Sequence, residues 1–130
     1  MKSIQRICAL ALAATAATAV LTPVAAHADH PYAQASAVVA ADGSIIRSRN
    51  IVDVWRAYRG TYCVVVEPGV ELHGGTSLYA RPMGRYWYPR SLSVERGARA
   101  CGGNWFNTFA VHSNIGYGHA ADAAFYLTVS

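Results

Sequence analysis

The chain lacks the short motifs that announce common chemistries. It has no G-x-S-x-G, which removes the nucleophile-elbow hydrolases. It has no H-x-x-x-H spacing of the kind that seats zinc on one helix face. Its paired glycines, Gly74-Gly75 and Gly102-Gly103, lack the residues that turn a glycine pair into a phosphate cradle. Lysine is confined to Lys2. There is no internal repeat, and past the first two dozen residues no helical period runs long enough to compete with strands. Cys63, His112 and Asp122 make a triad only on paper. Glu67, Glu71 and Glu95, the acids available for a glycosidase pair, lie near turns and strand ends, where solvated carboxylates are normal. We therefore expect no enzyme activity, no cofactor and no metal site.

What is present begins with a leader. Lys2 and Arg6 supply a positive start, Ile7 to Val24 is apolar and alanine-rich, and Ala26-His27-Ala28 is a small-x-small cleavage site. This is the layout of a secretory signal peptide over residues 1–28, with cleavage after Ala26 as the alternative. Nothing later approaches a transmembrane length, so no membrane span is expected. About 100 residues then remain, the length of one small domain. The leader also carries off Cys8, leaving Cys63 and Cys101 of the three cysteines. In an exported chain an even pair predicts a disulfide. Removing Lys2 and Arg6 from the 11 basic residues leaves nine arginines against 7 acids, a net charge of +2. That balance does not point to nucleic acid.

The strand pattern is clearest at 60–69. In Tyr62-Cys63-Val64-Val65-Val66, Tyr62, Val64 and Val66 fall on one face and Cys63 and Val65 on the other. Both faces are apolar, Arg59-Gly60 and Pro68-Gly69 punctuate the ends, and the run is too short for a buried helix. Residues 29–36, with Pro31, read as an extended arm before a domain spanning 37–130. Ala37 to Ala40 and Ser44 to Arg47 form a hairpin around Asp42-Gly43. Asn50 to Tyr58 pairs with Thr61 to Val66. In the first of these, Val52 and Val54 share a face with Arg56 and Tyr58, opposite Ile51, Asp53, Trp55 and Ala57. Further strands fall at Ser77 to Arg81, Arg90 to Arg96, Trp105 to His112 and Ala124 to Val129, with Asn114 to Asp122 as a glycine-rich loop. About eight short, evenly spaced strands predict an all-β fold, a two-sheet antiparallel sandwich or small barrel.

Val38-Val39-Ala40-Ala41-Asp42-Gly43-Ser44, Val52-Asp53-Val54-Trp55-Arg56, Gly60-Thr61-Tyr62-Cys63-Val64 and the closing Ala124-Phe125-Tyr126-Leu127-Thr128-Val129 resemble a recurrent small secreted domain of actinobacteria. The resemblance covers most of the chain past the leader. It implies a β-sandwich and no established chemistry. This chain has His73-Gly74-Gly75 in a region where that family often carries a cysteine.

The segment richest in recognition chemistry is 79–90, with Tyr79, Arg81, Arg85, Tyr86, Trp87, Tyr88 and Arg90. Aromatics and arginine are enriched at interface hot spots, and aromatic faces also stack on sugar rings. The plain alternative is that Trp87 and one tyrosine plug the end of the sandwich while the arginines stay solvated. The expected function is a secreted, extracellular, non-catalytic module that binds another secreted protein. One concrete form is a small subunit or adaptor of a toxin-type assembly. The alternatives are a carbohydrate or cell-wall binding module with Tyr86, Trp87 and Tyr88 as a stacking platform, and a small secreted hydrolase or protease inhibitor. The arm suggests a further mode, strand addition to a partner's sheet.

Overall fold

The alternation in 61–66 sets the architecture. In the computed structural model, which describes residues 32–130, Tyr62, Val64 and Val66 point into the main core. Cys63 points the other way, into a smaller buried cluster with Ala98, Cys101 and Ala110. The expected leader, residues 1–28, and residues 29–31 of the expected arm lie outside the described residues. Among the described residues there are nine strands: β1 Ala35–Val39, β2 Ile45–Arg49, β3 Ile51–Tyr58, β4 Thr61–Val66, β5 Leu78–Pro82, β6 Ser91–Arg96, β7 Thr108–Ile115, β8 His119–Ala120 and β9 Phe125–Val129. They form two antiparallel sheets. One has the order β2-β1-β9-β5; the other runs β3-β4-β7-β6, with β8 paired to the end of β7. The expected all-β two-sheet sandwich is what the chain builds.

Both sheets send alternate residues inward. Val39, Phe125, Leu127 and Val129 from one sheet meet Val64, Phe109 and Val111 from the other. Tyr62 packs edge-on against Phe125 with ring centroids 5.1 Å apart. The small cluster on the far side of β4 is sealed by the Cys63–Cys101 disulfide, which spans 38 residues of sequence and holds the 97–107 loop onto the outer face of the five-stranded sheet.

The structure corrects several boundaries. Ala35 and Ser36, assigned above to the arm, belong to β1 and pair with Val129 and Thr128, because buried Ala35 is small enough to fit against β9. β2 runs on to Arg49. In β3 the register skips a residue between Ile51 and Asp53, a bulge that turns Val52 to solvent and puts Ile51 with Val54 on the core side. The strict alternation read from the sequence is lost at that point. β7 starts at Thr108, not Trp105. The Asn104 side chain accepts the Phe106 N–H at 2.9 Å, a local turn that keeps 104–106 out of the ladder. β7 also extends to Ile115 and folds back through Gly116–Gly118 into β8, inside the stretch expected to be loop.

One end of the sandwich is tied by polar groups from distant segments. The Tyr62 hydroxyl donates to Ala41 O at 2.6 Å and accepts from Ala123 N–H at 3.1 Å. Asp122 accepts Gly60 N–H at 2.7 Å and pairs with Arg56 at 3.1 Å. Burial pushes the Tyr62 phenol up from its ordinary 10.0 to about 12. Tyr62→Phe keeps the ring and takes this partner from the buried Ala123 N–H and the part-buried Ala41 O, so we expect a loss of about 1–3 kcal/mol in denaturant unfolding. The unfolded phenol ionises near pH 10 while the folded one holds its proton, so stability falls as pH rises through the 10–12 window. Tyr62→Phe is expected to flatten that slope. An unchanged alkaline slope in the variant would refute the assignment.

Candidate functional site

The loop at 83–90 joins β5 to β6, and its conformation is set at its base. Met83 N–H continues the β5 ladder by donating to Ala124 O at 2.8 Å. Tyr86 turns inward, and its hydroxyl accepts Ala124 N–H at 2.7 Å. The Arg90 guanidinium lies over the Tyr86 ring, 4.4 Å from its centroid. The same guanidinium donates from Nε to Asp122 O at 3.0 Å and from Nη1 to Tyr88 O at 2.6 Å. One arginine therefore clamps both arms of its own loop to the tied end of the sandwich. A guanidinium suits this role because its planar fork carries several donors and a face that stacks.

The seven residues singled out from the sequence thus separate into three sets. Tyr86 and Arg90 are the frame. Trp87 and Tyr88 are held out from it, 91% and 62% exposed, and Arg85 is exposed beside them. A shallow hollow of about 320 Å³ is lined by Pro82, Gly84, Arg85, Tyr86, Pro89 and Arg90. Tyr79 and Arg81 are elsewhere, on β5 and facing outward from the four-stranded sheet, with the Arg81 guanidinium 4.7 Å from the centre of the Tyr126 ring. Trp87 does not plug the sandwich. The Tyr86-Trp87-Tyr88 row does not form one platform either, because Tyr86 is tucked under Arg90.

Two further aromatics reach the same end. Ser91 pairs with Asn114, so the β7–β8 turn carrying Tyr117 follows the strand beside this loop. Tyr117 is fully exposed and sits at φ +64°, a left-handed conformation uncommon for a bulky residue. Tyr58, exposed at the β3–β4 turn, is at this end as well, since Gly60 O accepts Ser113 N–H at 2.7 Å. The sequence reading missed both; a tyrosine bracketed by Gly116 and Gly118 was the available signal. Exposed Trp105 and Phe106 belong to the opposite end, where Asn107 O accepts Val66 N–H at 2.9 Å.

The groups available for catalysis are spread apart or already engaged. Cys63 is in the disulfide and Asp122 holds the Gly60 turn, so the paper triad with His112 does not assemble. His112 lies in a surface row, with Nε2 2.8 Å from Glu95 and Nδ1 3.3 Å from the Thr61 hydroxyl. Glu71 is 3.3 Å from His73. Among the described residues no group of three or more His, Cys, Asp or Glu is arranged to hold a metal, and no helix is long and apolar enough to cross a membrane. No protein-family model, curated protein or solved structure matches the chain.

Proposed function

We propose that this is a secreted, non-catalytic protein-binding module that recognises its partner with the 83–90 loop and the aromatic turns beside it. The observation that carries this reading is Trp87, a large apolar side chain 91% exposed at the tip of a loop whose base is clamped by Tyr86 and Arg90. Solvent exposure of such a ring is unfavourable in the free protein, and a rigid base lowers the ordering cost of presenting it. Tyr88, Tyr117 and Tyr58 extend the same end, and tyrosine and tryptophan are the side chains most used as interface anchors. The buried disulfide is in keeping with an oxidising, extracellular compartment. An adaptor or small subunit of a secreted assembly fits this description.

The test is affinity purification of the tagged full-length protein from its native culture fluid, beside Trp87→Ala, with co-eluting chains identified by mass spectrometry. We expect a partner that co-elutes with the wild type and loses affinity for Trp87→Ala by about 2 kcal/mol, roughly 30-fold. Folding of the variant should be unaffected, since the side chain is outside the core. A wild type that elutes alone, or a partner that binds Trp87→Ala equally well, would overturn the reading. Retention on insoluble glycan that depends on Trp87 would transfer the loop to carbohydrate recognition.

A further inference from the structure

We propose, on the basis of the protein-binding reading above, that the hollow in the 83–90 loop is a carboxylate receptor, filled by a glutamate or aspartate on an acidic segment of the partner. Two arginines line it, Arg85 and Arg90. Arg90 is held in place before any partner arrives. Its Nε donates to Asp122 O, its Nη1 donates to Tyr88 O, and its plane lies over the Tyr86 ring. Both acceptors are carbonyl oxygens, so the positive charge of the guanidinium is fixed without being cancelled. Nη2 makes no hydrogen bond among the described residues. Arg85 is exposed on the same hollow and makes no hydrogen bond or ion pair among the described residues. One oriented donor and one adaptable cation therefore face the same space. A guanidinium fork matches a carboxylate, and a fork already oriented loses little freedom on binding one.

The charges around the hollow favour an acidic partner. The 83–90 loop and the 116–119 turn contain no acid. Asp122 is engaged: its carboxylate accepts Gly60 N–H at 2.7 Å and pairs with Arg56 at 3.1 Å. Asp42, in the β1–β2 turn at the same end, accepts from the Ser44 N–H and hydroxyl at 2.9 and 2.6 Å. Arg59, exposed beside Tyr58, has no acidic partner among the described residues. Segments 41–44, 56–60, 83–90 and 116–122 together hold four arginines against those two aspartates, an excess of two positive charges. The rest of the lining sets the size of what enters. Pro82 and Pro89 are apolar walls beside the arginines, suited to the methylene groups behind a carboxylate. At about 320 Å³ the hollow is at the lower end of ligand-site volumes and suits one side chain rather than a whole small molecule. Trp87, exposed on the same loop, is then placed for an apolar residue next to the acid in the partner.

The probe is a pool of short synthetic peptides with a fixed central leucine, glutamates on both sides and mixed residues elsewhere. A second pool has glutamine in place of each glutamate, and a third has lysine. Binding to the full-length protein is measured at several salt concentrations, for the wild type, Arg85→Glu and Arg99→Glu. Arg99 is exposed on the turn held by the disulfide, so its reversal makes the same change in net charge at a different place. We expect salt-sensitive binding of the glutamate pool, roughly tenfold weaker binding of the glutamine pool and none of the lysine pool. Arg85→Glu should weaken the glutamate pool roughly tenfold or more and leave the glutamine pool unchanged, while Arg99→Glu changes neither. The receptor is overturned by a wild type that does not bind the glutamate pool, by glutamine or lysine binding as tight as glutamate, or by equal losses in Arg85→Glu and Arg99→Glu. In each of these cases a partner that co-elutes from culture fluid and depends on Trp87 leaves the protein-binding reading standing. That reading fails separately, when no chain co-elutes. The thermal midpoint of Arg85→Glu, expected to match the wild type, separates loss of binding from loss of fold.

Discussion

Removing the disulfide with the double substitution Cys63→Ala and Cys101→Ala is expected to cost about 4 kcal/mol of unfolding free energy, the chain-entropy value for a loop of this size. The bond closes 38 residues of sequence between the central strand β4 and the turn at 99–101. It reaches the outer face of the five-stranded sheet, where the neighbouring buried residues are only Ala98 and Ala110. Two alanines bury too little apolar surface to hold an eleven-residue excursion, 97–107, by themselves. A domain of about 100 residues has only about 5–15 kcal/mol to lose, so the bond is a large share of the total. Denaturant unfolding with and without a reductant measures it, and the thermal midpoint should drop by roughly 20 °C. A loss below about 1 kcal/mol would mean that the loop is held by something other than the disulfide.

Gly60→Val is expected to be comparably damaging, at about 3–4 kcal/mol or more, through backbone collision rather than lost cross-linking. Gly60 adopts φ +71° in the β3–β4 turn. A Cβ there would stand 2.5 Å from Ser113 O and 2.9 Å from Ala121 N, both main-chain atoms that cannot rotate away. The same residue donates its N–H to Asp122 and accepts from Ser113, so displacing it loosens the turn from β7 and from the 121–123 segment together. Those segments also carry the Ala123 and Asp122 groups that hold Tyr62 and Arg90. The 83–90 loop should therefore lose its base, and partner binding should weaken along with stability. Gly84→Ala separates the two causes. Gly84 has φ +81° and open space around it, so only the conformational cost of about 1–2 kcal/mol is expected. Equal losses at the two positions in denaturant unfolding would show that backbone conformation, not close approach, sets the penalty.

The candidate site was only half legible in the chain. Composition marked 79–90 as rich in arginine and aromatics, and those residue types do occupy an exposed loop. Their division of labour depends on partners far away in sequence. Tyr86 faces inward because Ala124 offers an N–H, and Arg90 lies flat because Asp122 offers a carbonyl. Tyr79 and Arg81 leave the group because they lie within β5, Leu78–Pro82, ahead of the loop. Tyr117 went unread because its importance comes from φ and exposure at a turn, neither of which composition encodes.

The sequence by itself determined the fold class and most of the strand set. Period-two alternation, β-branched residues and turn glycines are local properties, and they act within a few residues of where they are written. It also pointed to the disulfide pairing, since Cys63 and Cys101 are the two cysteines past the expected leader, and the bond joins them. Tertiary structure alone decided which strands neighbour one another and where alternation breaks. The Val52 bulge, the extra strand β8 and the order β2-β1-β9-β5 all depend on hydrogen bonds between segments tens of residues apart. The same holds for Arg90. It reads as an ordinary solvated residue at the start of its strand, and only the carbonyl of Asp122, 32 residues further on, turns it into a fixed wall of the hollow it shares with Arg85.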